Sequence, residues 1–203
     1  MQKKCQFKNG YTFNRVINGC WQLSAEHCLQ GHLDYDDAIR AFHELVEQGF
    51  TTFDCADIYT GAEEVLGRFV MELKESGHYQ EGDSQNRTKF VPDKDVLPVI
   101  NMKYTEGIVD RSLKRMHREA LDLVQFHWWD FDVPGMMETA FDLVRLQEKG
   151  KIRNIGMCNM DTNALKQMVD AGIPVVSNQA QYSVFDRRPE RTLLDYSAEH
   201  GIY

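Results

Sequence analysis

Two hydrophobic periods alternate along the chain. Near its start, Phe7-Lys8-Asn9-Gly10-Tyr11-Thr12-Phe13 sets Asn-Gly between short alternating segments. Both turn residues tolerate positive φ, so a β-hairpin is expected there. Residues 16–23 read as a strand. Asp34 then reads as the N-cap of a helix whose apolar stripe is Ala38, Ile39, Phe42, Leu45 and Val46, ended by Gly49. The same alternation continues to the last residue. Strands are predicted at 50–56, 88–91, 121–127, 151–157 and 174–179. Helices between them carry Val65, Leu66 and Phe69, then Ile108, Val109 and Leu113, then Met137, Ala140 and Val144 behind Pro134-Gly135, then Leu165 and Met168 behind Asp161. Pro189 opens a last helix, Gly201 ends it, and Ile202-Tyr203 reads as the beginning of a seventh strand.

A regular series of apolar strands joined by crossover helices makes a parallel sheet, either an open doubly wound one or a (β/α)8 barrel. The open dinucleotide-binding sheet carries G-x-G-x-x-G after an early strand. This chain has neither that motif, nor G-x-x-x-x-G-K-[ST], nor G-x-S-x-G. Polar residues instead stand at or just beyond successive strand ends: Asp54, Lys89, His127, Asn159 and Gln179. That is where a barrel keeps its site. The expected fold is therefore α/β of the TIM (β/α)8 type, represented by the hairpin and about six βα units in one domain, 1–203.

Composition narrows the partners. With 23 Lys+Arg against 31 Asp+Glu the formal charge is -8, which disfavours a polyanion, so no nucleic acid is expected. No apolar run reaches the roughly 20 residues that span a bilayer, and Lys3-Lys4 is not followed by an apolar signal region. The five cysteines contain no C-x-x-C pair, which points to a reducing, cytoplasmic setting. Cys20, His27, Cys28 and His32 do not match metal-ligand spacing, and no metal is expected.

Taken singly, Asp54 reads as a cap or turn former and Tyr59 as packing, while Lys89 stands out because a buried ammonium is costly unless paired. On neighbouring strands of a barrel, Asp54, Lys89 and His127 point into one mouth. Gly19-Cys20-Trp21-Gln22-Leu23, Asp54-Cys55-Ala56 through Tyr59, Thr88-Lys89, Asp122 through His127-Trp128, Lys151 through Gly156-Met157-Cys158-Asn159 and Ser177-Asn178-Gln179 through Tyr182 together resemble the aldo-keto reductase superfamily, in that family's order.

The resemblance implies reduction of a small-molecule aldehyde or ketone by hydride from NADP(H). Tyr59 is then the general acid, and its pKa of about 10 is lowered by the cation of Lys89. Asp54 pairs with Lys89, and His127 donates to the substrate oxygen. Trp21, Trp128 and Trp129 offer apolar walls. Asn159 and Gln179 hold the nicotinamide carboxamide, with Cys158 (serine in the family) and Tyr182 also in the cofactor site. A second reading is a nucleotide-binding regulatory subunit with little turnover, like the channel-associated β subunits of the superfamily, or an inactive truncated form. Because the series stops at Tyr203, the resemblance further implies a chain truncated at its C-terminus, without the family's last two strands and most of its phosphate site. Weak NADPH binding and self-association through the open barrel edge are the corresponding expectations.

Overall fold

The computed structural model describes residues 4–25, 34–77, 80 and 82–203. His27, Cys28 and His32 lie outside the described residues. The Asn-Gly hairpin forms, with β1 (Lys4–Gln6) antiparallel to β2 (Thr12–Asn14). Gly10, at φ 89°, takes the left-handed position that the turn requires. Beyond it runs a parallel sheet of β3 (Asn18–Gly19), β4 (Thr52–Asp54), β5 (Gln85–Phe90), β6 (Leu123–His127), β7 (Ile155–Cys158) and β8 (Val175–Gln179).

Each strand of this sheet pairs with its predecessor, in the order β3-β4-β5-β6-β7-β8. A doubly wound sheet would reverse direction partway, whereas this one winds a single way, as a barrel does. Tyr203 continues the series: its N–H donates to the Val176 carbonyl at 3.1 Å, and its own carbonyl accepts from the Asn178 N–H at 2.7 Å.

The helices α1 (Tyr35–Glu47), α2 (Ala62–Glu75), α3 (Met102–Arg115), α4 (Met136–Glu148), α5 (Thr162–Asp170) and α6 (Leu193–His200) follow the strands in turn. The caps read from the sequence form. Asp34 Oδ1 accepts from the N–H groups of Asp36 and Asp37, and Asp161 Oδ1 from that of Ala164. No described helix is long and apolar enough to cross a membrane.

Some strand bounds differ from those expected. Of residues 16–23 only Asn18–Gly19 pair, and Trp21–Leu23 form a 3₁₀ turn. The strand expected at 88–91 runs from Gln85 to Phe90, because Gln85, Asn86 and Arg87 are polar yet buried. Their side chains find partners or aromatic faces inside the protein. Thr52 Oγ1 donates to Gln85 Oε1 at 2.8 Å, the Gln85 amide donates to the Thr12 carbonyl, and the Arg87 guanidinium lies 4.4 Å from the Phe13 ring centroid.

The two-residue period of each strand sorts side chains between two layers. Phe53 turns outward, where its ring meets Phe42 of α1 and Phe69 of α2 at 4.9 and 5.5 Å. Its neighbour Asp54 therefore turns inward. On β5, Lys89 shares the inner face with Arg87 and Gln85, while Thr88 faces α2. Phe7 and Phe13 of the hairpin pack with Leu123 at the opposite end from Lys89, and Tyr203 meets both rings edge-on.

Helices α2 and α3 approach closely at Gly67, where an added Cβ would overlap the backbone carbonyl oxygen of Arg115. Gly67→Ala should therefore lower stability by about 1–3 kcal/mol in urea denaturation, as overpacking does. Gly107→Ala on α3, with nothing within 4 Å of the new Cβ, should be neutral or stabilising.

Candidate functional site

Five strand ends and the loop after β4 build the mouth of the sheet. At the end of β4, Asp54 is positioned by the parallel pairing that sets it beside Arg87 of β5. Lys89, two residues further along β5, reaches back across this pairing. Its Nζ donates to Asp54 Oδ2 at 2.5 Å and to the Cys55 carbonyl at 2.8 Å. The lysine side chain is 7% exposed and the aspartate 13%. Burial alone would lower the Lys89 ammonium, but the charge of Asp54 and its hydrogen bond carry the pKa above the ordinary lysine value.

Asp54 has two further donors. Gln125 Nε2 donates to Oδ1 at 2.6 Å, and Gln179 Nε2 to Oδ2 at 3.3 Å. Gln125 is the functional residue that the sequence reading passed over. Its parity is the available signal, since it lies two residues before His127 and opposite Lys89 in register.

Tyr59 sits in the loop between β4 and α2, half-buried, with Lys89 Nζ 5.1 Å from its ring centroid. The expected help from Lys89 is present but outweighed. Burial raises the phenol, Lys89 lowers it through its charge and a hydrogen bond, Asp54 raises it, and the net direction is upward.

His127 ends β6. Its Nδ1 lies 3.1 Å from the Cys158 carbonyl oxygen, and its ring meets Trp129 edge-on at 4.5 Å. A carbonyl only accepts, so the proton sits on Nδ1, and Nε2 of the neutral ring is an acceptor. Burial lowers the imidazole pKa, and the hydrogen bond to the Cys158 carbonyl opposes it. Donation by His127 to a substrate oxygen, as expected from the sequence, therefore requires the protonated ring.

The aromatic walls divide. Trp129 is partly exposed beside His127, its Nε1 donating to the Pro92 carbonyl at 2.8 Å. Trp21 is half-exposed in the turn after β3. Trp128 is a core residue instead, 2% exposed, packed on Phe126 with its Nε1 on the Val133 carbonyl. One residue past an inward His127, it must point outward.

The candidate cofactor residues also divide. Cys158 is buried near the ion pair, and burial pushes its thiol up to about 11, Lys89 opposing this. Asn159 follows it in the left-handed region at φ 56°, exposed at the mouth, its Oδ1 accepting from the Gln181 N–H at 3.3 Å. Gln179 is exposed beside it at the end of β8. Tyr182 stands away on an exposed loop, its hydroxyl donating to Glu190 Oε1 at 2.6 Å. A cleft of about 410 Å³ opens next to Asn159, floored by Met160 and Leu193 and edged by Arg188 and Arg191.

The inward-facing aspartate–lysine pair, with a tyrosine beside it, thus stands at the C-terminal end of a singly wound parallel sheet. Residues 15–203 match the aldo/keto reductase family, and the chain belongs to it.

Among curated proteins, the chain is 28% identical over 196 residues to aldo-keto reductase YhdN of Bacillus subtilis, covering 95% of this chain and 57% of that one. It is 26% identical over 207 residues to an NADH-specific methylglyoxal reductase of Escherichia coli, covering 94% and 62%. Among solved structures it resembles an aldo/keto reductase of Klebsiella pneumoniae, solved with NADP and acetate. There the TM-score is 0.79 at 25% identity, over 100% of this chain and 66% of that one. The chain thus spans little more than half the length of the curated relatives it matches.

The buried pair provides its own test. Lys89→Met leaves Asp54 without its cation and should cost about 3–5 kcal/mol in chemical denaturation. The double variant Lys89→Met/Asp54→Leu should recover most of that loss, because no uncompensated charge remains.

Proposed function

We propose that this chain carries the proton-transfer site of an NAD(P)H-dependent carbonyl reductase acting on a small aldehyde or ketone. The observation that carries the reading is Lys89 Nζ, bonded to Asp54 and set 5.1 Å from the Tyr59 ring centroid. A phenol is a poor acid until its phenolate is stabilised, and a fixed ammonium does that after the proton has left. Asp54, itself held by Gln125 and Gln179, keeps the ammonium in place. Tyr59 gives its proton to the carbonyl oxygen, and His127 and Trp129 shape the space in which that oxygen sits.

NAD(P)H, when bound, supplies the hydride. The amides of Asn159 and Gln179 fit it, because both stand exposed at the mouth with donor and acceptor atoms that match a carboxamide. The Klebsiella relative was solved with NADP, and the E. coli relative is named NADH-specific, so both nucleotides belong in the assay. Tyr182 joins the cofactor site only by leaving Glu190. A reducing cytoplasm is the proposed location, consistent with the free thiols of Cys5, Cys20, Cys55 and Cys158.

The commitment of the His127 Nδ1 proton to the Cys158 carbonyl favours a second reading, a nucleotide-binding subunit with little turnover. Nucleotide oxidation in the presence of methylglyoxal decides between them. Under the first reading Tyr59→Phe should lower turnover by about 10²–10⁴-fold with nucleotide affinity retained. Turnover equal to that of the parent chain would remove the general-acid assignment.

Self-association is proposed for the 203-residue chain, through the outer edges of the parallel sheet, beside β3 and Tyr203. Light scattering should show species larger than 23.6 kDa, and fluorescence titration should give NADPH affinity weaker than micromolar. A monodisperse monomer with tight binding would refute both.

A further inference from the structure

Beneath the Tyr59 loop lies a network of charges, buried at Glu63 and Asp57 and partly exposed at Arg111, Arg115 and Glu64, that the proton-transfer site does not use. Glu63, in the first turn of α2, is fully buried and accepts from Thr88 Oγ1 at 2.7 Å. Its other oxygen faces Arg115 Nη1 of α3 at 3.3 Å. The same Nη1 donates to the backbone carbonyl of Asp57 at 3.2 Å, while Arg115 Nε reaches Glu64 at 2.9 Å. Asp57 is fixed from the other side as well. Its Oδ1 accepts from the Val91 N–H at 3.1 Å, its own N–H donates to the Lys89 carbonyl at 3.2 Å, and Arg111 Nη2 lies 3.7 Å from Oδ2.

We infer that Asp57 and Arg115 are positioning residues for Tyr59, clamping the segment 57–61 that carries the phenol against β5 and α3. The inference rests on the assignment of Tyr59 as the proton donor. Two residues separate Asp57 from Tyr59, and the Tyr59 N–H donates back to the Ala56 carbonyl at 3.0 Å. A shift at Asp57 therefore moves the phenol with it. Thr88 and Lys89 are adjacent on β5, so the clamp and the ammonium hang from one strand, on its two faces.

The clamp should respond to pH. The groups facing Asp57 are Glu63 from α2, Arg111, Arg115 and Tyr104 from α3, and Asp93 from the segment after β5. Burial first, then the charge of Glu63, raises the Asp57 carboxyl from 3.8 to about 7, Arg111 opposing and Asp93 adding to it. A raised carboxyl means that the fold prefers the neutral form. Its contribution is full below about pH 4 and is lost as pH rises to about 7.

Hydrogen exchange on the full chain, corrected for the intrinsic pH dependence of exchange, reads the clamp without any need for turnover. Between about pH 5 and about pH 8, protection of a peptide covering residues 55–62 should fall by about tenfold, and Asp57→Asn should abolish that fall. Arg115→Lys keeps the charge but lacks the planar fork. It should speed exchange in this segment at every pH and leave residues 123–127 unchanged. In the reductase assay the same variant should lower kcat with the aldehyde KM retained.

A wild-type pH fall persisting in Asp57→Asn overturns the proposal, as does wild-type protection in a folded Arg115→Lys. If Arg115→Lys does not fold, the isosteric Asp57→Asn decides alone. An exchange pattern as expected, with no carbonyl reduction by the parent chain, would reject the functional reading and keep the clamp.

Discussion

The mouth of the sheet is organised around one ammonium that has almost no water. Lys89 is held by Asp54 and the Cys55 carbonyl, and a buried pair of this kind is stable only when its remaining lone pairs and protons are met. Gln125 and Gln179 meet those of the carboxylate, drawing β6 and β8 to the same point as β4 and β5. The pair is thus a poor source of stability and a good source of position. Tyr59 is placed by its distance from that cation, and the upward pull of burial on its phenol shows how much the cation has to offset.

What could be read from the sequence was what depends on period and punctuation. The hairpin follows from Asn9-Gly10, the helix starts from Asp34 and Asp161, and the sheet from the regular return of short apolar runs. Asp54, Lys89 and His127 each have an ordinary structural reading alone and stand out only together, at the ends of neighbouring strands. Position along the chain does not by itself decide which layer a side chain enters. Trp128 reads as a wall beside Trp129, although a residue next to an inward His127 belongs to the outer layer. Gln125 draws no notice for the converse reason, since a neutral amide inside a strand carries no charge.

Partners from distant parts of the chain were not legible at all. The Nδ1 proton of His127 is committed by a backbone carbonyl on the neighbouring strand, which no side-chain pattern encodes. The polar start of β5 reads as loop because Gln85 and Arg87 are hydrophilic. They are strand residues because Thr12, Thr52 and the hairpin aromatics surround them. Tyr182 was placed by motif, while its hydroxyl is taken by Glu190 eight residues later.

The unbroken strand order has a consequence for how the molecule is made. Because every strand of the parallel sheet hydrogen-bonds to the one synthesised just before it, each new βα unit finds its docking edge already in place as it leaves the ribosome. The sheet can grow by accretion, with loops to close that are no longer than a single unit. The hairpin is the exception. Phe7 and Phe13 pack against Leu123 and Tyr203, which come much later in the sequence. Its docking partners are therefore made only after several βα units have been added.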